Sequence, residues 1–282
     1  MIMSKKRIII SIAVVMLCIG IWTVWGNTAL ELNTYTIDSS KLPSSFNGYR
    51  IAHVSDLHNT EMGQNNEKLL KMIKSAEPDI IVITGDMIDS RNTKVDVALN
   101  FAAEAVKIAP CYFVKGNHEV RVTEYEELRN GLIDLGVIVL EDEKNEIEKQ
   151  GEEIVIVGVD DPSAQNDYLF DDSQLLMDSK LKTLKEDYSF TVLLSHRPEL
   201  FDVYVDNDIN LVFSGHAHGG QFRLPFIGGM IAPHQGLLPE YDSGIYTEEN
   251  TNMVVSRGIG NSLFPFRFNN RPEIILIELQ RR

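Results

Sequence analysis

Five short blocks constrain this chain more than any other feature: Asp56-Leu57-His58, Gly85-Asp86-Met87-Ile88-Asp89, Gly116-Asn117-His118-Glu119, Ser195-His196 and Gly215-His216-Ala217-His218. Each combines an oxygen ligand or an imidazole with small residues, and each follows an apolar run that reads as a β-strand. Blocks so far apart in sequence share one site only if their strands lie side by side and the loops at one edge converge. In open α/β sheets that place is the crevice beyond the C-terminal strand ends.

The rest of the pattern is consistent with such a sheet. Arg50–Val54, Ile80–Thr84, Tyr112–Lys115, Val137–Leu140, Ile154–Val159, Thr191–Ser195, Leu211–Ser214, Met253–Ser256 and Ile274–Glu278 read as strands, and Glu31–Ile37 as an edge strand. Helical periodicity appears over Asn66–Ala76, Lys94–Lys107 and Thr123–Leu135, and near Ser173–Leu184. Asp56, Asp86, Asn117, His196 and His216 each fall just past the C-terminal end of such a strand. Alternating strands and helices imply an α/β fold with helices on both faces. Helices thin out late in the chain, which favours a mixed sheet or two packed sheets over one parallel sheet.

At 282 residues and 44% hydrophobic, the chain can bury a large core. A formal charge of −15 argues against a general nucleic-acid-binding surface. The charge is uneven: Lys5, Lys6 and Arg7 precede the first acidic residue, Glu31, so the remainder carries 23 basic against 41 acidic side chains, or −18. Ile8 to Trp25 then runs 18 residues without a charge, near the length that crosses a bilayer, with Trp22 and Trp25 at its far end. Positive-inside logic places residues 1–7 in the cytoplasm and everything after residue 26 outside. Val24-Trp25-Gly26 is a poor cleavage site, so the segment reads as an uncleaved signal-anchor. The expected divisions are a cytoplasmic tip (1–7), a transmembrane anchor (8–25), a lead-in (26–48) and a single catalytic domain (49–282) outside the cell membrane. Cys18 then sits in the membrane, and Cys111 is a lone thiol packed in a strand.

Each block has a chemical reading and a plainer one. Asp56 and His58 alternate around Leu57, so an extended backbone would turn both to one side as half of a metal shell. Gly85 permits a tight turn before Asp86, whose two oxygens can bridge two cations. Asp89 reads as a ligand, a partner of a neighbouring group, or a capping aspartate. Asn117 offers a neutral amide oxygen, and the adjacent His118 a proton donor. His196, His216 and His218 add three imidazoles. His53 faces opposite to Asp56 by parity and reads as a core histidine; His234, in the loop Pro233–Pro239, reads as surface by default, with lining the cleft as the alternative.

In order, D-x-H, G-D-x-x-D, G-N-H-E, H and G-H-x-H resemble the calcineurin-like metallophosphoesterase superfamily. Ser55-Asp56-Leu57-His58, His216-Ala217-His218-Gly219-Gly220-Gln221 and Ser256-Arg257-Gly258-Ile259-Gly260 resemble its bacterial membrane-anchored, phosphodiesterase-like branch. The similarity runs from about Tyr49 to Leu279. It implies a four-layer α/β/β/α sandwich with mixed sheets, preceded by one transmembrane helix. It also implies two divalent metal ions, for which this mixed nitrogen and oxygen set suits Mn, Fe or Zn. Asp56, His58, Asp86 and His218 would hold one ion, and Asp86, Asn117, His196 and His216 the other. A water activated between the ions would attack phosphorus in line, His118 would protonate the leaving group, and Asp89 would orient His118.

The substrate is read from an absence beside the motifs. Protein phosphatases of this superfamily place arginines there to grip a dianionic monoester, whose terminal oxygens invite bidentate binding. Here Ser90 follows Asp89, and Lys115 precedes Gly116. That tilts the reading toward a phosphodiester, of the kind found in a cell envelope. Arg91 and Arg197 keep a phosphomonoesterase or pyrophosphatase as the alternative. A catalytically inert, membrane-tethered binding module would be marked by substitutions at Asp86, Asn117, His118 or the His216/His218 pair, and none is present. Leu224-Pro225-Phe226-Ile227 and Leu263-Phe264-Pro265-Phe266 read as loop packing, with a hydrophobic rim toward the bilayer as the sharper alternative.

Overall fold

The computed structural model describes residues 5–164, 172–184, 190–261 and 264–282; the first four residues of the expected tip, and Leu263, lie outside these. In chain order the main strands are β1 (Glu31–Ser39), β2 (Arg50–Val54), β3 (Ile80–Ile83), β4 (Cys111–Phe113), β5 (Ile138–Val139), β6 (Glu143–Lys149), β7 (Glu152–Gly158), β8 (Thr191–Leu194) and β9 (Leu211–Ser214). Two small ribbons follow, β10 (Arg223–Leu224) with β11 (Gly228–Gly229), and β12 (Ile231–Ala232) with β13 (Gly236–Leu237). The last strands are β14 (Gly244–Glu248), β15 (Thr251–Val255) and β16 (Glu273–Arg281).

The main strands form two six-stranded sheets, ordered β1-β16-β2-β3-β4-β5 and β14-β15-β9-β8-β7-β6. β2 to β5 run parallel in the first sheet, and β7, β8, β9 and β15 in the second; β16, β6 and β14 make the antiparallel pairings. Parallel strands are buried on both faces and read as unbroken apolar runs, which is why Ile80–Ile83 and Leu211–Ser214 were legible. β6, with sequence EKNEIEK, is not: it is an edge strand whose charges face solvent and whose Ile147 alone reaches the core.

Strand alternation sorts the side chains into layers. Ile51, Ile80, Val82, Ile156, Val192, Leu194 and Phe213 meet between the sheets. Ala52, Val54, Ile81, Ile83 and Cys111 face outward against α2 (Glu67–Ser75), α3 (Val95–Ala105) and α5 (Tyr125–Asp134), with the one-turn α4 (Asn117–Val120) between the last two in sequence. Val155, Leu193 and Val212 face α6 (Ser173–Leu184) and α7 (Phe201–Asp206) on the far side. The architecture is the expected four-layer α/β/β/α sandwich with mixed sheets. His53 sits between the sheets, fully buried, with Nε2 bonded to Thr84 Oγ1 at 2.8 Å.

α1 (Lys5–Thr28) precedes the sandwich. It is long and apolar enough to cross a membrane, and its apolar side chains are exposed rather than packed on the sheets. That excludes its being a core helix. The chain leaves α1 directly into β1, which pairs with β16 along nine residues.

Candidate metal centre

Five of the seven expected metal ligands have a left-handed backbone: Asp56 (φ 52°), His58 (43°), Asp86 (53°), His216 (65°) and His218 (48°). For residues with a Cβ this conformation costs about 1–3 kcal/mol each and persists only where surrounding bonds enforce it. Here they do. Asp56 N–H donates to the Gly85 carbonyl at 3.1 Å and His58 N–H to the Asp86 carbonyl at 2.9 Å. His216 N–H donates to the Asp56 carboxylate at 3.1 Å. The expected extended segment at Asp56-Leu57-His58 is therefore corrected: both side chains reach one side because the loop is coiled against its neighbour, not because it alternates. Two glycines make room for this. A β-carbon on Gly116 would collide with the Asp86 carboxylate, and one on Gly215 with Ser55 and Asp56.

The loops deliver their side chains to one buried place. Ligand atoms of Asp56, His58, Asp86 and His218 lie within 4.8 Å of one another, as do those of Asp86, His196 and His216. Asp86 belongs to both groups. Its Oδ2 is 3.6 Å from His58 Nε2 and 3.2 Å from His196 Nε2. His218 Nε2 lies 3.2 Å from Asp56 Oδ1 and 3.2 Å from His58 Nε2. On the second side His196 Nε2 is 3.1 Å from His216 Nδ1 and 3.2 Å from the Asn117 amide oxygen.

This donor set fits two divalent cations. Imidazole nitrogens point at one another and at carboxylate oxygens, leaving few protons to share among many lone pairs. The His196 Nδ1 faces the Thr84 carbonyl at 2.6 Å, which fixes its proton there and turns the Nε2 lone pair inward. Charge tells the same story. Burial opposes ionising Asp86, but His196 and His58 outweigh it and hold the carboxyl well below its usual range. Burial also opposes a proton on His196, yet Asp86 and Asp56 push it up to about 10. His218, by contrast, is pushed down to about 3 by burial. In such a cluster the carboxylates draw any available positive charge, and a metal ion supplies it with better geometry than a proton.

His118 and Asp89 sit at the edge of this cluster. The expected direct orientation of His118 by Asp89 is loose: Nδ1 and Oδ1 are 3.6 Å apart. The closer partner is Ser90, whose N–H donates to His118 Nδ1 at 3.0 Å, with its hydroxyl at 3.1 Å. An Nδ1 that accepts a backbone N–H leaves the proton on Nε2. Asp89 is instead held by Arg91, whose Nε and backbone N–H each donate to it at 2.9 Å.

Sequence reasoning missed other residues. Glu119 is fully buried and accepts N–H bonds from Asp86 (2.7 Å), Gly116 (2.8 Å) and Ile88 (3.2 Å), clamping two ligand loops together. Its signal was its place beside Asn117 and His118. His234, surface by default, takes its alternative place in the cleft, but its stacking on His216, with Nδ1 2.9 Å from His216 Nε2, was not foreseen. Nothing in the sequence pairs those two rings. Arg121, with Arg91, lines the cleft of about 190 Å³ over the centre. Arg197 and Lys115 do not: Arg197 is buried against Asp161 (3.0 Å) and Glu199 (3.0 Å), and Lys115 pairs with Asp160 at 2.8 Å.

Comparison with known proteins agrees with this geometry. A model of the calcineurin-like phosphoesterase family matches residues 49–220. A Bacillus subtilis uncharacterized metallophosphoesterase, YkuE, is 31% identical over 270 residues, covering 89% of this chain and 86% of its own. The Escherichia coli phosphodiesterase YaeI is 28% identical over 246 residues, covering 82% of each chain. The crystal structure of TT1561 from Thermus thermophilus superposes with a TM-score of 0.51 at 14% identity, over 75% of this chain and 90% of that one, a likeness of fold alone. By motif, architecture and sequence similarity, this chain belongs to the calcineurin-like phosphoesterase family.

Proposed function

We propose that the protein is a dinuclear metal-dependent phosphodiesterase, anchored by α1 with its catalytic domain outside the cytoplasmic membrane. The observation that carries this reading is the pair of buried donor groups sharing Asp86. Asp56, His58, Asp86 and His218 would hold one divalent ion; Asp86, Asn117, His196 and His216 would hold the other. The two ions, as Mn, Fe or Zn, supply charge to polarise the phosphoryl oxygens and a hydroxide nucleophile near neutral pH. His118 turns Nε2, the nitrogen not bonded to Ser90, toward the departing alkoxide; in its imidazolium form it would give up the Nε2 proton there and return to the neutral ring. Asp89 acts at a distance, as a negative charge that favours protonated His118.

Preference for a diester is supported by what the arginines do. Arg197 and Lys115 are engaged with buried or half-buried carboxylates. The relative named a phosphodiesterase points the same way. Arg91 and Arg121 at the cleft favour the second reading, a phosphomonoesterase, since both can reach toward a dianion. Purified protein supplied with Mn should bind two ions per chain and hydrolyse bis(p-nitrophenyl) phosphate faster than p-nitrophenyl phosphate. The reverse preference would favour the monoesterase. No metal uptake, or no turnover of either ester, would defeat the proposal. Asp86→Ala should abolish metal binding, whereas His118→Ala should keep the metals and slow turnover.

A further inference from the structure

The region that follows His218 is chemically unlike the rest of this acidic chain. There is no Asp or Glu between Asp208 and Glu240, nor between Glu249 and Glu273. The two stretches form one hydrogen-bonded unit. Arg223 N–H donates to the Phe268 carbonyl at 2.9 Å, Gln221 Nε2 to the Phe266 carbonyl at 2.8 Å, and Leu238 N–H to the Met230 carbonyl at 3.0 Å. Phe222 packs edge-on to Phe264 and Phe266, at 5.2 and 5.4 Å.

This unit faces outward with apolar side chains. Phe226, at the tip of the β10–β11 ribbon, is fully exposed, and Leu237 and Leu238 are 76% and 61% exposed. Outside α1, ten large apolar residues are exposed among the described residues, and all but Ile133 and Leu175 belong to this unit. Single exposed apolar residues need no explanation, but a cluster on stretches without acidic residues, whose nearest carboxylate, Asp242, is paired with Arg223 at 3.0 Å, marks an interaction surface.

The position of α1 says what that surface meets. Asn27, in the last turn of α1, accepts from Arg267 N–H at 2.7 Å and donates to the Arg267 carbonyl at 2.9 Å. The Arg271 guanidinium lies 4.8 Å over the Trp25 ring. Arg267 stands between Phe266 and Phe268, so the helix end is bonded to one of the two stretches, and through Gln221 and Arg223 that stretch is bonded to the ribbons that carry Phe226, Leu237 and Leu238. With α1 read as the anchor, the rim lies where the chain leaves the lipid.

We propose that this unit is a membrane-docking surface. Phe226, Ile227, Leu237, Leu238 and Phe266 enter the interfacial layer of the bilayer that α1 crosses, and so hold the metal centre against the membrane. An apolar cavity of about 300 Å³, lined by Ile231, Ala232, Pro233 and Phe264, opens beside His218 and His234, which also line the metal cleft. It accepts the apolar portion of a phosphoester drawn from the bilayer. This second part rests on the phosphoesterase reading above.

The test uses the full chain, reconstituted in phosphatidylcholine vesicles doped with phosphatidylcholine bearing an acyl-chain diazirine. After photolysis, lipid adducts should map to residues 222–238 and 264–268 as well as to α1. Adducts confined to α1 would overturn the docking surface. The triple variant Phe226→Ser/Leu237→Ser/Leu238→Ser changes exposed side chains only, and should lose the adducts in 222–238. It should retain hydrolysis of soluble bis(p-nitrophenyl) phosphate, while hydrolysis of an acylated phosphodiester in the same vesicles drops at least about tenfold. Equal rates on the vesicle substrate would overturn the role of docking in substrate access. No hydrolysis of the soluble diester by the unsubstituted protein would defeat the phosphoesterase reading instead, and the adduct map would still decide the docking surface.

Discussion

At Glu119 one carboxylate accepts three buried N–H groups from the loops that carry Asp86 and Asn117. Removing an acceptor leaves buried donors unsatisfied, at about 1–3 kcal/mol each. Glu119→Ala should lower the unfolding free energy by roughly 3 kcal/mol in denaturant titration, with loss of metal retention; an unchanged midpoint would deny the clamp. His118 makes a different prediction. Burial lowers its proton affinity, and its proton matters only where the leaving group needs one. His118→Asn should slow an alkyl diester roughly a hundredfold but a nitrophenyl diester far less; equal losses would remove it from proton transfer. His53, buried and not among the candidate ligands, supplies a pH test. Burial pushes its folded value from 6.5 down to about 3, so below pH 6.5 the folded state binds fewer protons than the unfolded chain. The stability present above pH 6.5 is lost as pH falls, by about 1.4 kcal/mol per unit. Between about pH 7 and about pH 5, His53→Gln should lose about 2 kcal/mol less than the unsubstituted protein. Of these three residues, only His118 and His53 had a role that could be read from the chain. Parity made His53 a core residue and adjacency placed His118, whereas the donors to Glu119 come mainly from a loop about thirty residues earlier in sequence.

Among the elements, parallel strands were the most legible because burial on both faces leaves continuous apolar runs. Edge elements were the least. β6 is charged, and the ribbons β10–β13 are two-residue pairings held by their neighbours, so neither shows a period. The strand-end loops fall between these cases: their ligands were legible by type, but their coiled backbone was not. Gly215 tests that packing. Gly215→Ala puts a methyl group against Ser55 and Asp56 at the end of β9. The expected outcome is native far-ultraviolet circular dichroism with metal affinity reduced at least about tenfold, since a ligand displaced from its geometry loses its hold. Unaltered metal binding would show that the two loops are not in close register.

At the scale of the whole molecule, the sandwich joins its two sheets at one edge, where the loops after β2, β3 and β4 meet those after β8 and β9 and both halves of the site come together. α1 lies apart from that core. If the reading of Lys5, Lys6 and Arg7 as an inside signal holds, added protease should digest the catalytic domain in intact spheroplasts and leave a membrane-bound fragment containing α1. Full protection would reverse the orientation. By itself the sequence determined the fold class, showed one segment apolar and long enough to cross a membrane, and picked out the seven candidate ligands by type, because these depend on local apolar period and on residue chemistry carried in short motifs. Tertiary structure alone decided that Ser90 rather than Asp89 bonds His118, that Arg197 is engaged in an ion pair, and that His234 stacks on His216. It also decided that the end of α1 is bonded to Arg267, beside the exposed Phe266. Those relations join residues on separate loops, and a distance across a folded chain leaves no period, spacing or composition along it.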